Sequence, residues 1–282
     1  MDSEAANLWG SPISIEVTIL HLSDVHFGSA HSPAAASALV RFAHWKRPSA
    51  VVVSGDLTQR AKVREYRAAR AFLDGLAAYP VVVTAGNHDV PLYRFGERIL
   101  APFRNYRRHI QAALDTVTDV APGPGDDRGA RFVALNSTSP RTGFVNGRLR
   151  RRQLELAERS FGDAPPGFLR VLVVHHNLIA PEDGSYGTPL RRAGRVLDAL
   201  PGWGVDMVLG GHVHRATLAE SSAGVPVLLA GTATSTRGRG PEKGRSSFNW
   251  IRVRSDGIEV KVHFFSGEAG FRSEWGRSFG AP

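Results

Sequence analysis

The 282-residue sequence contains no cysteine, which excludes both disulfide bonds and thiolate metal ligands. It also lacks any apolar run near the roughly 20 residues that a membrane-spanning helix needs. The first ten residues are acidic and have no apolar core of the signal-peptide type, so we expect a cytoplasmic protein. With 42% hydrophobic and 22% charged residues, the composition is typical of a globular protein.

Lysine is scarce as well, since only four of the 35 basic residues are lysines: Lys46, Lys62, Lys243 and Lys261. Arginine therefore supplies most of the formal net charge of +9, and its planar guanidinium suits two-point contacts with phosphate or carboxylate. Such a charge fits a nucleic acid, a small anionic substrate or a compositional habit of the genome. Because no nucleic-acid-binding motif is present, we favour the compositional habit as its main cause.

Polar residues follow the ends of three apolar segments in the first third of the chain. The segments and their polar followers are Ile13 to Leu22 with Asp24 and His26, Ala50 to Val53 with Asp56, and Val81 to Thr84 with Asn87. Amphipathic helices are predicted between them, which indicates a β-α-β pattern with parallel strands. Any one of these polar residues could be a turn former or a helix cap. Three in register predict a shared site at the carboxyl ends of the strands.

Two histidines stand two residues apart after the apolar run Val205 to Leu209 and two glycines. In an extended backbone, residues i and i+2 point to the same side, so His212 and His214 could face one site. The glycines would let the backbone approach that site closely. The pair Asp24 and His26 has the same spacing. A single histidine pair is weak evidence for a metal, so the prediction depends on these partners.

From the sequence we predict one α/β domain at residues 13–265. A short N-terminal extension occupies residues 1–12, and a Gly- and Ser-rich tail of undetermined structure occupies residues 266–282. Within this domain, we predict a cap-like insertion with loops at residues 90–129. A continuous apolar strand at Phe168 to Val174 ends in His175 and His176, and the later segments alternate like antiparallel strands.

Five short blocks, in this order, resemble the calcineurin-like metallophosphoesterase family: Asp24-x-His26, Gly55-Asp56, Gly86-Asn87-His88-Asp89, His175 and Gly211-His212-x-His214. The resemblance implies a four-layer α-β-β-α sandwich, with two mixed sheets flanked by helices. In finer detail, the bacterial class III 3′,5′-cyclic nucleotide phosphodiesterases are similar at Ser54 to Thr58, Gly147 to Leu154 and Gly231-Thr232-Ala233.

The same resemblance implies a centre of two metal ions, Mn²⁺ and/or Fe²⁺/Fe³⁺ with Zn²⁺ as a further option, that activates water against a phosphodiester. The implied ligands of the first metal are Asp24, His26 and His214. Those of the second are Asn87, His175 and His212, and Asp56 bridges the two. Because His176 follows His175 directly, His176 stays open as the ligand in its place.

His88 resembles the family histidine that is not a ligand, contacts the substrate phosphate and assists the leaving oxygen. Its reference pKa of about 6.5 suits an acid near neutral pH. Asp89 is predicted beside it in the catalytic group, where it would orient His88 or a metal ligand. A purely structural role stays open for both residues.

The predicted substrate-binding residues are Asn87, His88, His214, Arg60 and Arg215. Other arginines near a motif or in a glycine-rich loop are Arg94, Arg191, Arg192 and Arg237. For each arginine, an ordinary surface position is the simpler interpretation.

The predicted substrate is a 3′,5′-cyclic nucleotide such as cAMP. The alternative is another phosphodiester or a pyrophosphate, such as a nucleotide-linked lipid precursor, a 2′,3′-cyclic nucleotide or a short nucleic acid. A scaffold or basic nucleic-acid-binding protein on the same fold is disfavoured, because Asp56, Asn87 and His88 are all present. We expect a small anionic substrate as partner, without nucleic acid or a membrane span, and a homodimer is one of the assemblies left open.

Overall fold

The structure is a computed structural model and describes residues 17–123, 128–140, 146–181 and 187–282. The predicted N-terminal extension at residues 1–12, and the first residues of the strand predicted from Ile13, lie outside the described residues. Within the described part of the chain, none of the helices combines the length and hydropathy that a membrane crossing requires.

The first sheet has six strands in the order β12-β11-β10-β1-β2-β3. The strands are β1 Val17–Leu22, β2 Ala50–Val53, β3 Val81–Val83, β10 Ser247–Arg254, β11 Gly257–Phe265 and β12 Phe271–Phe279. Strands β1, β2 and β3 are parallel, and β10, β11 and β12 extend the sheet from β1 in antiparallel fashion. The parallel part therefore brings the carboxyl ends of three successive strands to one edge.

The second sheet also has six strands, in the order β4-β5-β6-β7-β9-β8. They are β4 Thr116–Val120, β5 Ala130–Leu135, β6 Leu169–Val174, β7 Met207–Gly210, β8 Thr217–Glu220 and β9 Pro226–Leu229. The four central strands are parallel, and the edge strands β4 and β8 are antiparallel to their neighbours.

In the described ranges, six α-helices accompany the sheets: α1 Pro33–Lys46, α2 Val63–Asp74, α3 Phe95–Leu100, α4 Arg104–His109, α5 Arg151–Gly162 and α6 Ala193–Ala199. Helix α1 begins at an N-cap serine, Ser32, whose side chain accepts a hydrogen bond from Ala35 N. It ends at Arg47, whose backbone is left-handed. Helices α1, α2, α5 and α6 begin and end within four residues of the segments predicted from the sequence, which are Ala34 to Trp45, Ala61 to Ala78, Gly147 to Phe161 and Leu190 to Leu200.

Three groups of buried apolar residues separate four layers. One lies between the two sheets, one between the first sheet and helices α1 and α2, and one between the second sheet and helices α5 and α6. The strand Ala50–Val53 shows why its sequence is continuously apolar. Ala50 and Val52 face the other sheet, whereas Val51 and Val53 face the helices. The predicted four-layer α-β-β-α sandwich is confirmed.

Two segments outside the predicted strands add edge strands. The tail at residues 266–282, predicted apart from the domain, contributes β12 to the first sheet through eight paired positions with β11. Most of its side chains are exposed, so backbone pairing and not an apolar pattern holds this strand in place. Residues 90–129, predicted as a cap-like insertion, contain helices α3 and α4 but also β4, which pairs with β5.

Candidate metal centre

The carboxyl ends of five strands deliver the predicted ligands to one place. Asp24 and His26 follow β1, Asp56 follows β2, Asn87 follows β3, His175 follows β6, and His212 and His214 follow β7. Backbone hydrogen bonds from Asp24 N to Gly55 O (3.1 Å) and from Gly211 N to His175 O (3.0 Å) continue the parallel pairing beyond the strands. The two sheets thus present their polar turns at a common edge.

One group of side chains gathers around the Asp24 carboxylate. His214 Nε2 lies 3.0 Å from Asp24 Oδ1 and 3.0 Å from His26 Nε2. His26 Nε2 in turn lies 3.5 Å from Asp24 Oδ1 and 3.7 Å from Asp56 Oδ2. One ligand atom from each of these four buried residues lies within 4.8 Å of the others. This spacing fits a single cation held by nitrogen and oxygen ligands.

A second group gathers around the side-chain oxygen of Asn87. His175 Nε2 lies 3.1 Å from Asn87 Oδ1, and His212 Nδ1 lies 3.0 Å from the same atom. The other carboxylate oxygen of Asp56, Oδ1, lies 3.5 Å from His175 Nε2. Asp56 therefore stands between the two groups, with one oxygen towards each.

The residues present fit a centre of metal cations. Asp24 Oδ1, Asp56 Oδ2 and His26 Nδ1 are buried and have no hydrogen-bond partner, so two carboxylate oxygens face the centre uncompensated. Burial, together with the nearby carboxylates of Asp24 and Asp89, raises the pKa of Asp56 well above its usual range. A cation between these carboxylates would remove that electrostatic conflict.

The remaining ring and carboxylate atoms bind neighbours that orient the ligands. Asp24 Oδ2 accepts hydrogen bonds from Ser23 Oγ (2.7 Å) and His212 N (2.9 Å), which leaves Oδ1 directed at the centre. His175 Nδ1 lies 2.8 Å from Ser54 O, and His214 Nδ1 lies 3.1 Å from Arg237 O. Because a carbonyl oxygen can only accept, both Nδ1 atoms donate, and each Nε2 keeps its lone pair for a metal.

Five of the predicted ligands have backbone φ angles in the left-handed region. The values are 51° at Asp24, 48° at His26, 51° at Asp56, 74° at His212 and 57° at His214. We expected residues i and i+2 to share a side because the backbone would be extended. The backbone is not extended at these ligands, so that reason is wrong. The chain turns at each ligand, in a conformation that costs about 1–3 kcal/mol per non-glycine residue and is found mainly at functional sites.

Glycines give these turns room. A Cβ at Gly211 would lie 1.8 Å from Ser23 Oγ and 2.6 Å from Asp24 Oδ2, and one at Gly86 would lie 2.2 Å from Asp56 Oδ1. The close approach of the backbone that the glycines before His212 predict is therefore observed at Gly211.

The choice between His175 and His176 has a geometric answer. His175 Nε2 faces Asn87 and Asp56, as described above. His176 Nδ1 instead lies 2.8 Å from Ser137 Oγ, and its ring lies against the ring of His212 at a centroid distance of 4.6 Å. This arrangement supports His175 as the ligand and gives His176 a packing role behind His212.

His88 lies at the mouth of the centre and points its Nδ1 away from it. Nδ1 lies 2.9 Å from Gln59 O, so Nδ1 carries the proton of the neutral ring. The His88 and His26 rings meet edge to face at a centroid distance of 4.9 Å. Burial lowers the pKa of His88 to about 4, and the guanidinium of Arg237 adds to the effect.

Asp89, predicted in the catalytic group, does not face the centre. Its Oδ2 accepts hydrogen bonds from Gly86 N (2.9 Å) and Leu57 N (3.1 Å). Its Oδ1 accepts hydrogen bonds from Thr58 N (2.9 Å) and Thr58 Oγ1 (3.0 Å). With four donors on one buried carboxylate, Asp89 ties the turn that carries Asp56 to the turn that carries Asn87. These contacts fit the predicted orienting role of Asp89, which acts on the turns that carry the ligands and does not touch the centre itself.

A family model described as calcineurin-like phosphoesterase matches residues 17–216 of the chain. The chain belongs to this family. A probable cyclic nucleotide phosphodiesterase of Rhodococcus erythropolis is 28% identical over 240 residues, covering 80% of this chain and 74% of the relative. A cAMP/cGMP dual specificity phosphodiesterase of Mycobacterium tuberculosis is 28% identical over 272 residues, covering 88% of this chain and 79% of the relative. The protein is a metal-dependent phosphoesterase.

Solved structures share the fold of this phosphoesterase at low sequence identity. A purple acid phosphatase from yellow lupin seeds has a TM-score of 0.68 and 12% identity, covering 94% of this chain and 54% of its own. The anchor protein of the inner membrane complex of Plasmodium has a TM-score of 0.65 and 14% identity, covering 95% and 90%. A dimetal phosphatase from Danio rerio has a TM-score of 0.59 and 15% identity, covering 94% and 99%.

A cavity of about 230 Å³ opens onto the metal centre of the phosphoesterase. His88, His212 and His214 line it together with Arg239, which neither a motif nor a spacing in the sequence marks as a site residue. The backbone places this arginine, because Arg239 N donates a 3.0 Å hydrogen bond to His214 O. A basic, glycine-rich loop after the last ligand is the one sequence signal for it.

The other arginines occupy varied surroundings. Arg60 lies over the ring of Tyr93 at 4.9 Å, and Arg94 donates hydrogen bonds to Ala61 O and Glu97. Arg237 is about half buried, and its carbonyl oxygen orients the ring of His214. None of the predicted Arg60, Arg94, Arg191, Arg192, Arg215 and Arg237 lines the described cavity at the metal centre.

Proposed function

We propose that this phosphoesterase hydrolyses a 3′,5′-cyclic nucleotide such as cAMP at a centre of two metal ions. The position of Asp56 carries the proposal, because its two carboxylate oxygens face two separate groups of ligand atoms. The names of the two curated relatives, which span most of this chain, support a cyclic nucleotide as the substrate.

We assign Asp24, His26 and His214 to one metal, Asn87, His175 and His212 to the other, and Asp56 to both. Oxygen and imidazole ligands without thiolate favour Mn²⁺, iron or Zn²⁺. Bound there, such ions supply Lewis acidity towards the phosphoryl oxygens and lower the pKa of water. Asn87 contributes a neutral oxygen, so the protein ligands carry only the two carboxylate charges of Asp24 and Asp56.

His88 is the proposed proton donor to the leaving oxygen. Its hydrogen bond to Gln59 O fixes the Nδ1 side of the ring, and we assign proton transfer to Nε2. With a pKa of about 4, the ring is neutral in the protein alone. The negative charge of a phosphodiester nearby would raise that pKa, so the substrate itself would help to charge the acid.

The cavity favours a small substrate. Its volume of about 230 Å³ lies below the 300–1,000 Å³ of typical pockets for drug-sized ligands. Arg239 adds a cation at its edge, and Arg237 lies close enough to Asp56 and Asp24 to feel their charges. A cyclic mononucleotide meets these conditions better than a polymer does. The cytoplasmic location and the homodimer stay predictions.

A substrate panel tests the proposal. The protein is stripped with a chelator, reloaded with Mn²⁺ and given bis(p-nitrophenyl) phosphate, 3′,5′- and 2′,3′-cyclic nucleotides, a monoester and a pyrophosphate. We expect no hydrolysis without metal and the highest kcat/KM with a 3′,5′-cyclic nucleotide. Activity that survives the chelator would contradict the metal centre. Preference for the pyrophosphate or the 2′,3′-cyclic nucleotide would contradict the substrate alone.

A further inference from the structure

A second cavity, of about 390 Å³, lies away from the metal centre. It is formed where helices α3 and α4 and the segment after them meet the start of helix α5. None of its lining residues lines the cavity at the metals. Neither the metal chemistry nor the proposed cleavage makes use of it.

The lining of this cavity combines apolar and cationic side chains. The apolar ones are Ile99, Leu100, Pro102, Phe103, Leu114 and Pro140, and the cationic ones are Arg107, Arg148, Arg150 and Arg152. Leu100 is 85% exposed, so most of its side chain is available to a ligand. A ligand seated here would meet hydrocarbon on one part of its surface and guanidinium groups on another.

The positive charge of the cavity is not balanced by its one acidic lining residue, Asp115. The Oδ1 atom of Asp115 already accepts hydrogen bonds from Asn136 N (2.9 Å) and Gln153 Nε2 (2.7 Å). Arg148 also borders a neighbouring groove that adds further cations, Arg191, Arg192 and Arg195, beside Arg151, which pairs with Glu155. A negatively charged group is therefore favoured at this face of the protein.

The apolar part of the lining argues against a nucleotide. Phe103 has the one aromatic ring in this lining, and it packs partly buried against the core between the first sheet and its helices. It is thus committed to packing and is a poor stacking partner for a base. Inorganic phosphate would use the arginines alone and leave the aliphatic side chains in water.

We propose that this cavity binds an anionic amphiphile, with a phosphate or carboxylate head at the arginines and an aliphatic chain along Ile99 and Leu100. Either a single amphiphile in solution or a lipid headgroup region at a bilayer surface can offer this chemistry.

Titration calorimetry with dodecyl phosphate, kept below its critical micelle concentration, tests the site in the full chain. We expect dodecyl phosphate to bind at least about tenfold more tightly than either inorganic phosphate or uncharged dodecyl maltoside, likewise kept below its critical micelle concentration, because only dodecyl phosphate satisfies both parts of the lining. Equal binding of inorganic phosphate would overturn the apolar part of the proposal, and equal binding of the maltoside would overturn the anionic part.

Two variants locate the binding. Arg150→Gln combined with Arg152→Gln, and separately Leu100→Ser, should each weaken dodecyl phosphate binding by about tenfold. The matched control is Arg41→Gln combined with Arg64→Gln, two exposed arginines outside this lining, and it should leave the affinity unchanged. Undiminished binding in both test variants would overturn the proposal.

Sedimentation with vesicles distinguishes the two sources of the ligand. Binding to phosphatidylglycerol vesicles but not to phosphatidylcholine vesicles, lost in the same variants, would identify a bilayer surface. Binding of dissolved dodecyl phosphate without binding to vesicles would identify a free amphiphile. Binding to neither would overturn the proposal. Hydrolysis of bis(p-nitrophenyl) phosphate by the Leu100→Ser variant should match the unmodified protein, so failure here is distinct from failure of the proposed function.

Discussion

The backbone amide of His212 donates a 2.9 Å hydrogen bond to the Oδ2 atom of Asp24. The two residues are 188 positions apart, follow β7 and β1 respectively, and belong to different sheets. This bond fixes the turn after β7 and at the same time aims Asp24 Oδ1 at His214 and His26. The metal centre thus depends on how the two sheets meet, as well as on the side chains that each contributes.

Replacement of the bridging carboxylate tests whether Asp56 is needed to hold two metal ions. Asp56→Asn has nearly the same shape but no negative charge, and its amide group can offer only one oxygen. We expect bound metal to fall from two ions per chain to one or fewer, and hydrolysis to fall to background. Metal analysis after gel filtration, alongside a rate assay, checks both.

The control for this variant is Asp74→Asn, which changes an exposed carboxylate that pairs with Arg70 on helix α2. It should keep both metals and full activity. If Asp56→Asn also kept two ions and full activity, the bridging assignment would fail.

Removal of the His88 ring should lower the rate without releasing metal. In His88→Ala the centre keeps every proposed ligand, but the leaving oxygen loses its proton donor. General acid catalysis contributes about 10²- to 10⁴-fold, so kcat should fall within that range. Metal content should stay unchanged, and a substrate with a good leaving group such as p-nitrophenolate should lose less than a cyclic nucleotide does.

An exposed histidine supplies the comparison. His44→Ala, at the end of helix α1, should leave kcat unaltered. An unchanged kcat in His88→Ala would remove this residue from the mechanism, and loss of metal would make it a structural residue instead.

Much of this fold and centre can be predicted from the sequence, because strand ends and ligands coincide along the chain. The run Ala50 to Val53 is apolar on both faces, and the polar residue that follows, Asp56, lies at the sheet edge as expected for parallel strands. The conformation of the ligands could not be predicted in this way. Left-handed φ angles at Asp24 and His214 depend on contacts with residues far away in sequence.

Strand β12 and Arg239 escaped prediction for related reasons. β12 is exposed along most of its length, so it has no alternation of apolar and polar residues to indicate a strand. Arg239 reaches the centre because its backbone binds His214 O. Neither a backbone pairing of this kind nor a loop conformation leaves a periodic signal in the sequence.

His21, which is fully buried behind the centre, should make stability depend on pH. Burial lowers its pKa to about 3, although a hydrogen bond to the Gly210 backbone and the charge of Asp24 oppose the effect. In the unfolded chain this histidine has an ordinary pKa of about 6.5. Between pH 3 and pH 6.5 the unfolded chain therefore binds a proton at His21 that the folded protein does not bind. The stabilising contribution is therefore complete above about pH 6.5 and is lost as the pH falls towards 3.

The size of this effect follows from the two pKa values. At pH 5 the loss relative to pH 7.5 is about 2 kcal/mol in the free energy of unfolding. Between pH 7.5 and pH 5, the free energy of unfolding of His21→Gln should fall by about 2 kcal/mol less than that of the unmodified protein, whatever its absolute stability. Urea unfolding of both metal-free proteins at the two pH values measures this change, and an equal fall in the two proteins would contradict the assignment.

Gly211→Ala tests whether the close approach of the backbone builds the metal centre. The new Cβ would lie 1.8 Å from Ser23 Oγ and 2.6 Å from Asp24 Oδ2, so the turn after β7 or the carboxylate of Asp24 must move. We expect a loss of about 1–3 kcal/mol in the free energy of unfolding, as for other overpacked sites, and weaker metal binding because Asp24 is displaced.

Gly194→Ala is the matched control, because a Cβ in that helix meets no atom within 4 Å. This control should be neutral or slightly more stable, with unchanged metal affinity. If Gly211→Ala behaved like Gly194→Ala in both urea unfolding and metal titration, the turn would be more adaptable than the packing around Asp24 indicates.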